Sequence, residues 1–306
     1  PLYSSAASDV YKRQAVEKAI ETDAELVMAS DPDADRVGAA VKNNEGEWVL
    51  LNGNQTALMF VYYLITRWKE LGKINGKEYI VKTIVTTETI KTIAERNGVE
   101  MYDVYTGFKW IANVMRENEG KKNYIGGGEE SYGFLCEDFV RDKDAVSACV
   151  ILAEIAAWAK DQGLSLYQLL QKIYVEYGFS KEKGISVVKK GKSGAEEIEA
   201  MMKKFRENPL TEIAGSKVTY FYDYSTLKGK DYAENETVTL DMPTTSNVLQ
   251  YFTEDNTKVS IRPSGTEPKI KFYCEVHSKV KNIDELPEAE KAAEEKINQI
   301  KASLGI

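Results

Sequence analysis

The amino-acid sequence predicts an α/β protein, in which a mostly parallel sheet has helices on both faces and a C-terminal α+β domain with an antiparallel sheet follows. The first observation is a strict alternation of strand-like and helix-like segments from Glu78 to Gly128. A β-α-β-α-β order is typical of a parallel sheet covered by helices. The second is a series of β-rich segments from Lys217 onward, several of which alternate polar and apolar residues. Such alternation indicates strands with one solvated face, as in antiparallel sheets.

The elements before and within the alternating part follow from their apolar patterns. Residues 15–23 predict a helix, and the apolar run Ala24–Ala29 predicts a buried strand. A strand and turn, Glu47–Asn54, precede a helix over Gln55–Leu71, whose apolar positions recur at helical spacing. The alternating segments are EYIVKTIVT, ETIKTIAERNG, EMYDVYT, GFKWIANVMRENEG and NYIGGG.

The remaining elements lie between the two sheets and at the C-terminus. Two helices are predicted over Asp142–Gly163 and Ser165–Gly178. The basic, glycine-bearing segment KEKGISVVKKGKSG, which begins at Lys181, predicts either an interdomain linker or an edge strand. A helix follows in AEEIEAMMKKFREN, and the charged segment Glu285–Leu304 predicts the last helix.

Composition narrows the function classes. Of 306 residues, 43% are hydrophobic and 29% are charged, which is ordinary for a soluble protein. The net charge of −8 weighs against nucleic acid and anionic membranes as partners. Three scattered cysteines without a CxxC pair indicate neither a disulfide framework nor a zinc site, so we expect a reducing cytoplasm. No apolar run reaches the roughly 18 residues of a membrane span, and the opening residues lack the apolar stretch of a signal peptide.

The segment DPDADR follows the first predicted strand. The carboxylates of Asp31, Asp33 and Asp35 can converge their oxygens on one hard cation such as Mg²⁺ or Ca²⁺. The adjacent Arg36 favours a phosphate beside that cation, because a guanidinium matches phosphate geometry. The alternative is an Asp-rich turn without function, since Asp is common in turns.

Two further segments follow predicted strands. In GGGEESYGF, residues 126–134, glycines allow close approach of a ligand, and Glu129, Glu130 and Ser131 can bond to hydroxyls. The alternative is a flexible acidic surface loop. In YTGFKWI, Gly107 stands at a strand-to-helix junction, where N–H groups can face an anion. Lys109 would lie in the first helical turn, where a cation is unfavourable, so its presence there indicates a functional role. The alternative is a solvated surface lysine.

The segment RPSGTEPK, residues 262–269, surrounds a Pro-Ser-Gly turn. The backbone N–H groups of such a turn, two hydroxyls and a guanidinium together suit a dianionic phosphate. The alternative is an ordinary hairpin turn with incidental charges. The density of phosphate-compatible groups favours a function in binding.

Several other sites are excluded by the residues present. An EF-hand would need Gly where Arg36 stands and Glu where Lys42 stands. The GKS at 191–193 lacks the earlier glycine of a Walker A loop, because Ser186 stands there. A Ser-His-Asp triad would depend on His277, the only histidine, which lies on a strand face that we expect to be solvated. No GxGxxG stands in a strand-turn-helix context.

These segments together resemble the α-D-phosphohexomutase superfamily, in particular its gluco-type phosphoglucomutases and the related phosphopentomutases. The resemblance runs from about Ala15 to the C-terminus. It rests on DPDADR as metal loop, TGFKWI, GEESYGF as sugar loop, FVRDKDAV, and RPSGTEPKIKFY as phosphate loop. Many relatives have GEESGH as sugar loop. Here Tyr132 and Gly133 replace its last two residues, which is the style of glucomutases and pentomutases and argues against a phosphomannomutase.

The resemblance implies a role for each motif. The Mg²⁺ ligands would be Asp31, Asp33 and Asp35. Arg36 would hold the transferring phosphoryl group, and Lys109 would be the general acid/base. The sugar and phosphate ligands would be Glu129, Ser131, Arg262, Ser264, Gly265 and Thr266. A small-molecule sugar phosphate would be the partner, with glucose 1,6-bisphosphate as intermediate and activator, and the oligomeric state stays open.

The resemblance also implies a division of the chain and a limit on its activity. Residues 1–14 would be a foreign or disordered leader, 15–50 a remnant of domain II with the metal loop, 51–180 the sugar-binding domain III and 181–306 the phosphate-binding domain IV. The family's phosphoserine lies in an N-terminal domain, in a motif like TASHNP that nothing here matches. We therefore expect the C-terminal part of an enzyme that interconverts glucose 1-phosphate and glucose 6-phosphate, inactive alone.

Other functions remain as alternatives. One is a phosphopentomutase acting on ribose or deoxyribose phosphates, and another is a fragment that binds sugar phosphate without catalysis. Haloacid-dehalogenase-like phosphatases would need a later acidic pair such as GDxxxD, and none is seen. The DxD motif of glycosyltransferases would leave RPSGTEPK unexplained.

Overall fold

The computed structural model describes residues 14–189, 191–265 and 267–306. The chain divides into two units, the first ending at Tyr177 and the second formed by Gly178–Ile306. The predicted leader lies outside the described residues except for residue 14, and Thr266 lies outside them too. Within the described ranges, no helix is long and apolar enough to cross a membrane.

The first unit begins with a helix, α1, described over residues 14–21, and a three-stranded antiparallel sheet. Its strands, in the order β1-β2-β3, are β1 (Leu26–Ser30), β2 (Val37–Lys42) and β3 (Trp48–Leu51). The prediction that the first strand is buried is wrong, because the residues of β1 are half-buried or exposed. Among the described strands β1 pairs only with β2, so one of its edges is not covered by another strand.

A second sheet of the first unit has the strand order β5-β4-β6-β7. Its strands are β4 (Glu78–Thr83), β5 (Glu100–Val104), β6 (Asn123–Gly128) and β7 (Phe134–Cys136). β4 pairs in parallel with β5 and β6, and only β7 is antiparallel, which confirms the mostly parallel sheet. The carboxyl ends of β4, β5 and β6 share one edge of the sheet, where ligands of such folds bind.

Helices cover both faces of this sheet, as predicted. The helices of the first unit that follow the three-stranded sheet are α2 (Gly53–Glu70), α3 (Thr89–Arg96), α4 (Phe108–Asn118), α5 (Ala145–Asp161) and α6 (Leu166–Tyr177). Helix α4 packs on the face that carries Tyr79 and Val81, while Ile80 on the opposite face is fully buried as well.

Helix α2 begins earlier than the sequence predicted. The expected turn before residue 55 is instead the helix N-terminus, because Asn52 and Gln55 form reciprocal side-chain to backbone hydrogen bonds of 2.9 and 3.0 Å. This capping box satisfies N–H groups that the first helical turn leaves without partners. It also fixes the position of Gly53, the first residue of α2.

The second unit contains a large antiparallel sheet of eight strands, as predicted for the C-terminal α+β domain. The main path has the order β12-β11-β10-β13-β14-β15-β8, and β9 pairs with β10. The strands are β8 (Phe179–Val188), β9 (Glu212–Ile213), β10 (Ser216–Asp223), β11 (Lys228–Asp231), β12 (Glu236–Thr239), β13 (Leu249–Thr253), β14 (Lys258–Pro263) and β15 (Lys269–Ser278). The helices are α7 (Gly191–Glu207) and α8 (Leu286–Leu304), with a 3₁₀ turn at Ile283–Glu285. Since β8 ends the path, the basic segment is an edge strand and not a linker from Lys181 to Val188, and its last residues, from Gly191, begin α7.

The expectation of a solvated His277 is wrong. Its side chain is 19% exposed, and its Nε2 lies 2.7 Å from Oε1 of the buried Glu275. Lys258 approaches the other oxygen of Glu275 at 2.9 Å. Burial lowers the pKa of His277, but the charge and hydrogen bond of Glu275 outweigh burial and raise this pKa above its ordinary value. The strand alternation placed His277 on the correct face but could not show that charged neighbours cover it.

Candidate active site

The aspartate loop joins β1 to β2 as a tight turn that is stabilised by hydrogen bonds between its own residues. Oδ1 of Asp31 accepts hydrogen bonds from the backbone N–H groups of Asp35 and Arg36, both at 3.1 Å. The carbonyl of Asp31 accepts the N–H of Ala34 at 3.0 Å, and Ala34 has a left-handed φ of 55°. One predicted metal ligand therefore shapes the loop with one of its oxygens.

Asp35 is bound to Lys143, which lies just before α5. The Nζ of Lys143 is 2.6 Å from Oδ2 of Asp35, and the two side chains are 16% and 25% exposed. Burial raises the pKa of Asp35, but the bond and charge of Lys143 and the charge of Arg36 outweigh burial, so this pKa lies below its ordinary value. Burial likewise lowers the pKa of Lys143, and the bond with Asp35 and nearby carboxylates outweigh it, so the pKa is raised.

The loop has the right donors for Mg²⁺ but does not bring three of them together. Carboxylate oxygens are ligands that Mg²⁺ prefers, and the buried Oδ1 of Asp35 accepts no hydrogen bond. Asp33 is exposed. In the part of the chain that the structure describes, however, no three His, Cys, Asp or Glu side chains are placed to hold a metal. Asp31 turns to the backbone and Asp35 to Lys143, so cation binding would require these side chains to converge.

Arg36 is in contact with the loop but is not tightly bound. Its Nε lies 3.9 Å from Oδ2 of Asp31 and 3.7 Å from Oδ1 of Asp35, and its side chain is 52% exposed. Ion pairs this long and this exposed contribute little to stability. The guanidinium is therefore accessible to an incoming anion.

The sugar loop, residues 129–133 between β6 and β7, lies directly beside the aspartate loop. Arg36 and Gly133 form an isolated antiparallel bridge, and the N–H of Val37 donates to the carbonyl of Tyr132 at 3.2 Å. A Cβ atom on Gly133 would lie 2.5 Å from Cδ of Lys143. Tyr132 has a left-handed φ of 74°, which a bulky side chain rarely adopts. The structure thus brings two of the predicted loops together.

Glu129 links the sugar loop to the loop that contains Lys109. Glu129 is buried, and its Oε1 accepts the N–H of Gly107 at 2.8 Å. Gly107 precedes α4 with a φ of 111°, a conformation that favours glycine. Lys109 is exposed in the first turn of α4, with Nζ 5.1 Å from the ring centre of Trp110. Ser131 is half-buried within the sugar loop.

The predicted phosphate loop belongs to the second unit and forms the hairpin between β14 and β15. The N–H of Ser264 donates to the carbonyl of Lys269 at 2.8 Å. Arg262 is half-buried, and among the described residues no carboxylate pairs with its guanidinium. Ser264, Gly265 and Lys269 line a groove of about 430 Å³, whose other wall is formed mainly by α7. The side chain of Lys269 pairs with Glu267.

Two sequence profiles match the chain in order. Residues 52–177 match the phosphoglucomutase/phosphomannomutase alpha/beta/alpha domain III, and residues 186–293 match the C-terminal domain of the same family. The fold and loops described above therefore agree with two domains of one enzyme family. The chain belongs to the phosphoglucomutase/phosphomannomutase family.

Individual relatives cover most of the chain. It is 38% identical to the phosphoglucomutase of Staphylococcus aureus strain USA300 over 273 residues, which is 89% of this chain and 48% of that protein. It is 33% identical to the phosphoglucomutase of Staphylococcus haemolyticus over 86% of this chain and 47% of that protein. The chain thus spans about half the length of these relatives. Its fold is similar to a Burkholderia thailandensis phosphoglucomutase/phosphomannomutase family protein, with a TM-score of 0.58, 18% identity, and coverage of 95% of this chain and 49% of the other.

Sequence reasoning missed two residues that the structure places at these loops. Lys143 lies in the quoted segment FVRDKDAV but was given no role, although it pairs with Asp35. Glu130 was expected to bond to ligand hydroxyls like Glu129 and Ser131, but its Oε2 accepts a hydrogen bond from the hydroxyl of Thr83. Neither has a local signal, because each depends on a partner far away in the sequence.

Proposed function

We propose that this chain forms the sugar-binding and phosphate-binding part of a phosphoglucomutase, which interconverts glucose 1-phosphate and glucose 6-phosphate through a phosphoserine and glucose 1,6-bisphosphate. The observation that carries the proposal is the meeting of three loops in the first unit. Gly133 of the sugar loop pairs with Arg36, and Glu129 bonds to Gly107 before the Lys109 helix. Relatives that are named phosphoglucomutase support glucose phosphate over pentose phosphate.

Each loop would supply one part of this chemistry. Asp31, Asp33 and Asp35 would hold Mg²⁺, which would neutralise charge on the transferring phosphoryl group. Arg36 would contact that phosphoryl group, and Lys109 would move a proton at the reacting hydroxyl. The ligands of the sugar and of its distant phosphate would be Glu129, Ser131, Arg262, Ser264, Gly265 and Thr266. A separate phosphate loop suits a reaction in which the sugar must bind in two orientations.

No segment of this sequence matches the family's phosphoserine motif. We propose that the phosphoserine belongs to the part of the enzyme that the relatives have and this chain does not span. The chain alone would then bind sugar phosphates without turnover, because loss of a covalent nucleophile costs roughly a millionfold in rate. Conversion of glucose 1-phosphate by the purified chain at the rate of a full-length relative would contradict this part of the proposal.

Calorimetry with glucose 1-phosphate, ribose 1-phosphate and mannose 1-phosphate tests the substrate class. We expect the glucose phosphate to bind most tightly, and Ser131→Ala to weaken its binding by about fivefold through a lost hydrogen bond. Ser147→Ala is the matched control, because the Ser147 hydroxyl donates to the carbonyl of Asp144 in its own helical turn at 3.2 Å. Preference for ribose 1-phosphate would indicate a phosphopentomutase, and no binding of any of the three would refute the proposed function.

A further inference from the structure

Glu130 stands between the two predicted sugar ligands, but its contacts lead into the protein. Its Oε2 lies 3.2 Å from the hydroxyl of Thr83, at the carboxyl end of β4. Its backbone N–H donates to the hydroxyl of Thr86 at 3.2 Å. The hydroxyls of Thr83 and Thr86 are 2.8 Å apart, and both threonines are fully buried.

Counting protons assigns the direction of these three bonds. A carboxylate can only accept, so Thr83 donates its single hydroxyl proton to Glu130. The bond between the two threonines must then be donated by Thr86, whose oxygen in turn accepts the N–H of Glu130. The result is a closed ring of hydrogen bonds in which each member polarises the next. Being buried, it leaves costly groups unsatisfied if one member is removed.

The N-terminus of α2 confines the same loop sterically. A Cβ atom on Gly53 would lie 2.1 Å from the carbonyl oxygen of Glu130 and 2.7 Å from the backbone nitrogen of Tyr132. These are backbone atoms, which cannot turn aside as a flexible side chain would. The φ of Gly53 is not in the left-handed region, so the demand for glycine is a matter of space alone.

We propose that Glu130 is a positioning residue, and that Thr83, Thr86 and Gly53 form a buried clamp that sets the binding conformation of the sugar loop. Glu129 and Ser131, on either side of Glu130, then face the ligand because Glu130 is fixed. This inference rests on the proposed function of the same loop, and it adds the β4–α3 turn to the elements that determine sugar affinity. Glu130 would then affect sugar affinity through its neighbours and not as a ligand of the sugar.

The test compares isosteric changes in the whole chain. Thr86→Val keeps the shape and removes the hydroxyl, and Thr86→Ser restores the hydroxyl without the methyl. Thr56→Val is the control, because it removes a buried hydroxyl of the first unit that donates to the carbonyl of Asn52 at the start of its own helix, at 3.0 Å. Amide hydrogen exchange of residues 129–133 and calorimetric affinity for glucose 1-phosphate are measured for each. Gly53→Ala, with Gly38→Ala as its control, tests the clamp without changing a hydroxyl.

Thr86→Val and Gly53→Ala should speed loop exchange and weaken glucose 1-phosphate binding by about fivefold or more, while Thr86→Ser and both controls stay near wild type. A general loss of stability would affect Thr56→Val equally, so that result would overturn the inference. Unchanged affinity in both clamp variants, beside a wild type that binds, would refute this inference alone. Absence of binding by the wild-type chain would refute the proposed function and this inference with it.

Discussion

The ion pair between Lys143 and Asp35 gives a prediction whose size follows from its burial. Removal of one partner of a fully buried pair costs about 3–5 kcal/mol, whereas exposed pairs contribute about 0–1 kcal/mol. With side chains 16% and 25% exposed and a distance of 2.6 Å, this pair lies between those limits. We expect Lys143→Met to destabilise the first unit by about 2 kcal/mol, or about 4–8 °C in Tm for a unit of this size.

A double-mutant cycle separates the pair from other effects of the substitution. Asp35→Asn is combined with Lys143→Met, and thermal unfolding is followed for the four proteins. The coupling should be about 1–2 kcal/mol, since residues in direct contact are not additive. The control is Lys160→Met, which removes a pair with Glu25 at 2.9 Å whose side chains are 70% and 73% exposed, and it should change stability by less than about 0.5 kcal/mol.

The pH dependence of this cycle has a definite sign. The folded pKa of Asp35 is depressed, so its contribution is fully present above the ordinary value of 3.8 and is lost as pH falls through the folded value. The folded pKa of Lys143 is raised, so its contribution is present below the ordinary value of 10.5 and is lost as pH rises through the folded value. The difference between wild type and Lys143→Met should therefore be constant between about pH 5 and 10 and shrink below pH 3.8. A coupling near zero at pH 7, or a cost of Lys143→Met that grows on acidification, would refute the reasoning.

Three further predictions concern other parts of the chain. In the second unit, His277→Gln should lower the free energy of unfolding by about 1–2 kcal/mol below pH 6.5, the ordinary pKa of His. This loss should fade as pH rises through the raised pKa of the folded protein. Measurements of Tm at pH 5.5 and 9 test the trend, and the opposite trend would contradict the pairing with Glu275. Arg262→Lys should weaken glucose 1-phosphate binding by roughly 1.5–3 kcal/mol with an unchanged Tm, because Lys lacks the planar fork; a large loss of Tm with unchanged affinity would make Arg262 structural. Asp33→Asn should lower Mg²⁺ affinity in calorimetry by about tenfold, because it removes the charge of an exposed carboxylate that is available to a cation. Equal affinities of the two proteins would show that Asp33 is not a metal ligand.

Local sequence patterns were enough to predict the kind of sheet and the position of the loops along the chain. The alternation from Glu78 to Gly128 predicted a mostly parallel sheet, and the structure has β4 parallel to β5 and β6. The β-rich segments after Lys217 predicted the antiparallel sheet of the second unit. Such patterns are local, because side chains repeat on one face with a fixed period in each element. The quoted motifs were likewise readable without a structure, and the family matches confirmed the resemblance.

Which side chains face one another depends on contacts that form only in the folded chain. Folding turned Glu130 toward Thr83 and Thr86, gave Asp35 a partner in Lys143, and covered a histidine that alternation placed on an open face. It also left β1 half-exposed where an apolar run predicted burial. These outcomes depend on pairings between distant segments, which a local periodicity does not encode. A carboxylate reads the same in the sequence whether it caps a loop, pairs with a lysine or faces a ligand, and only the groups that folding brings within about 3 Å determine which of these it does.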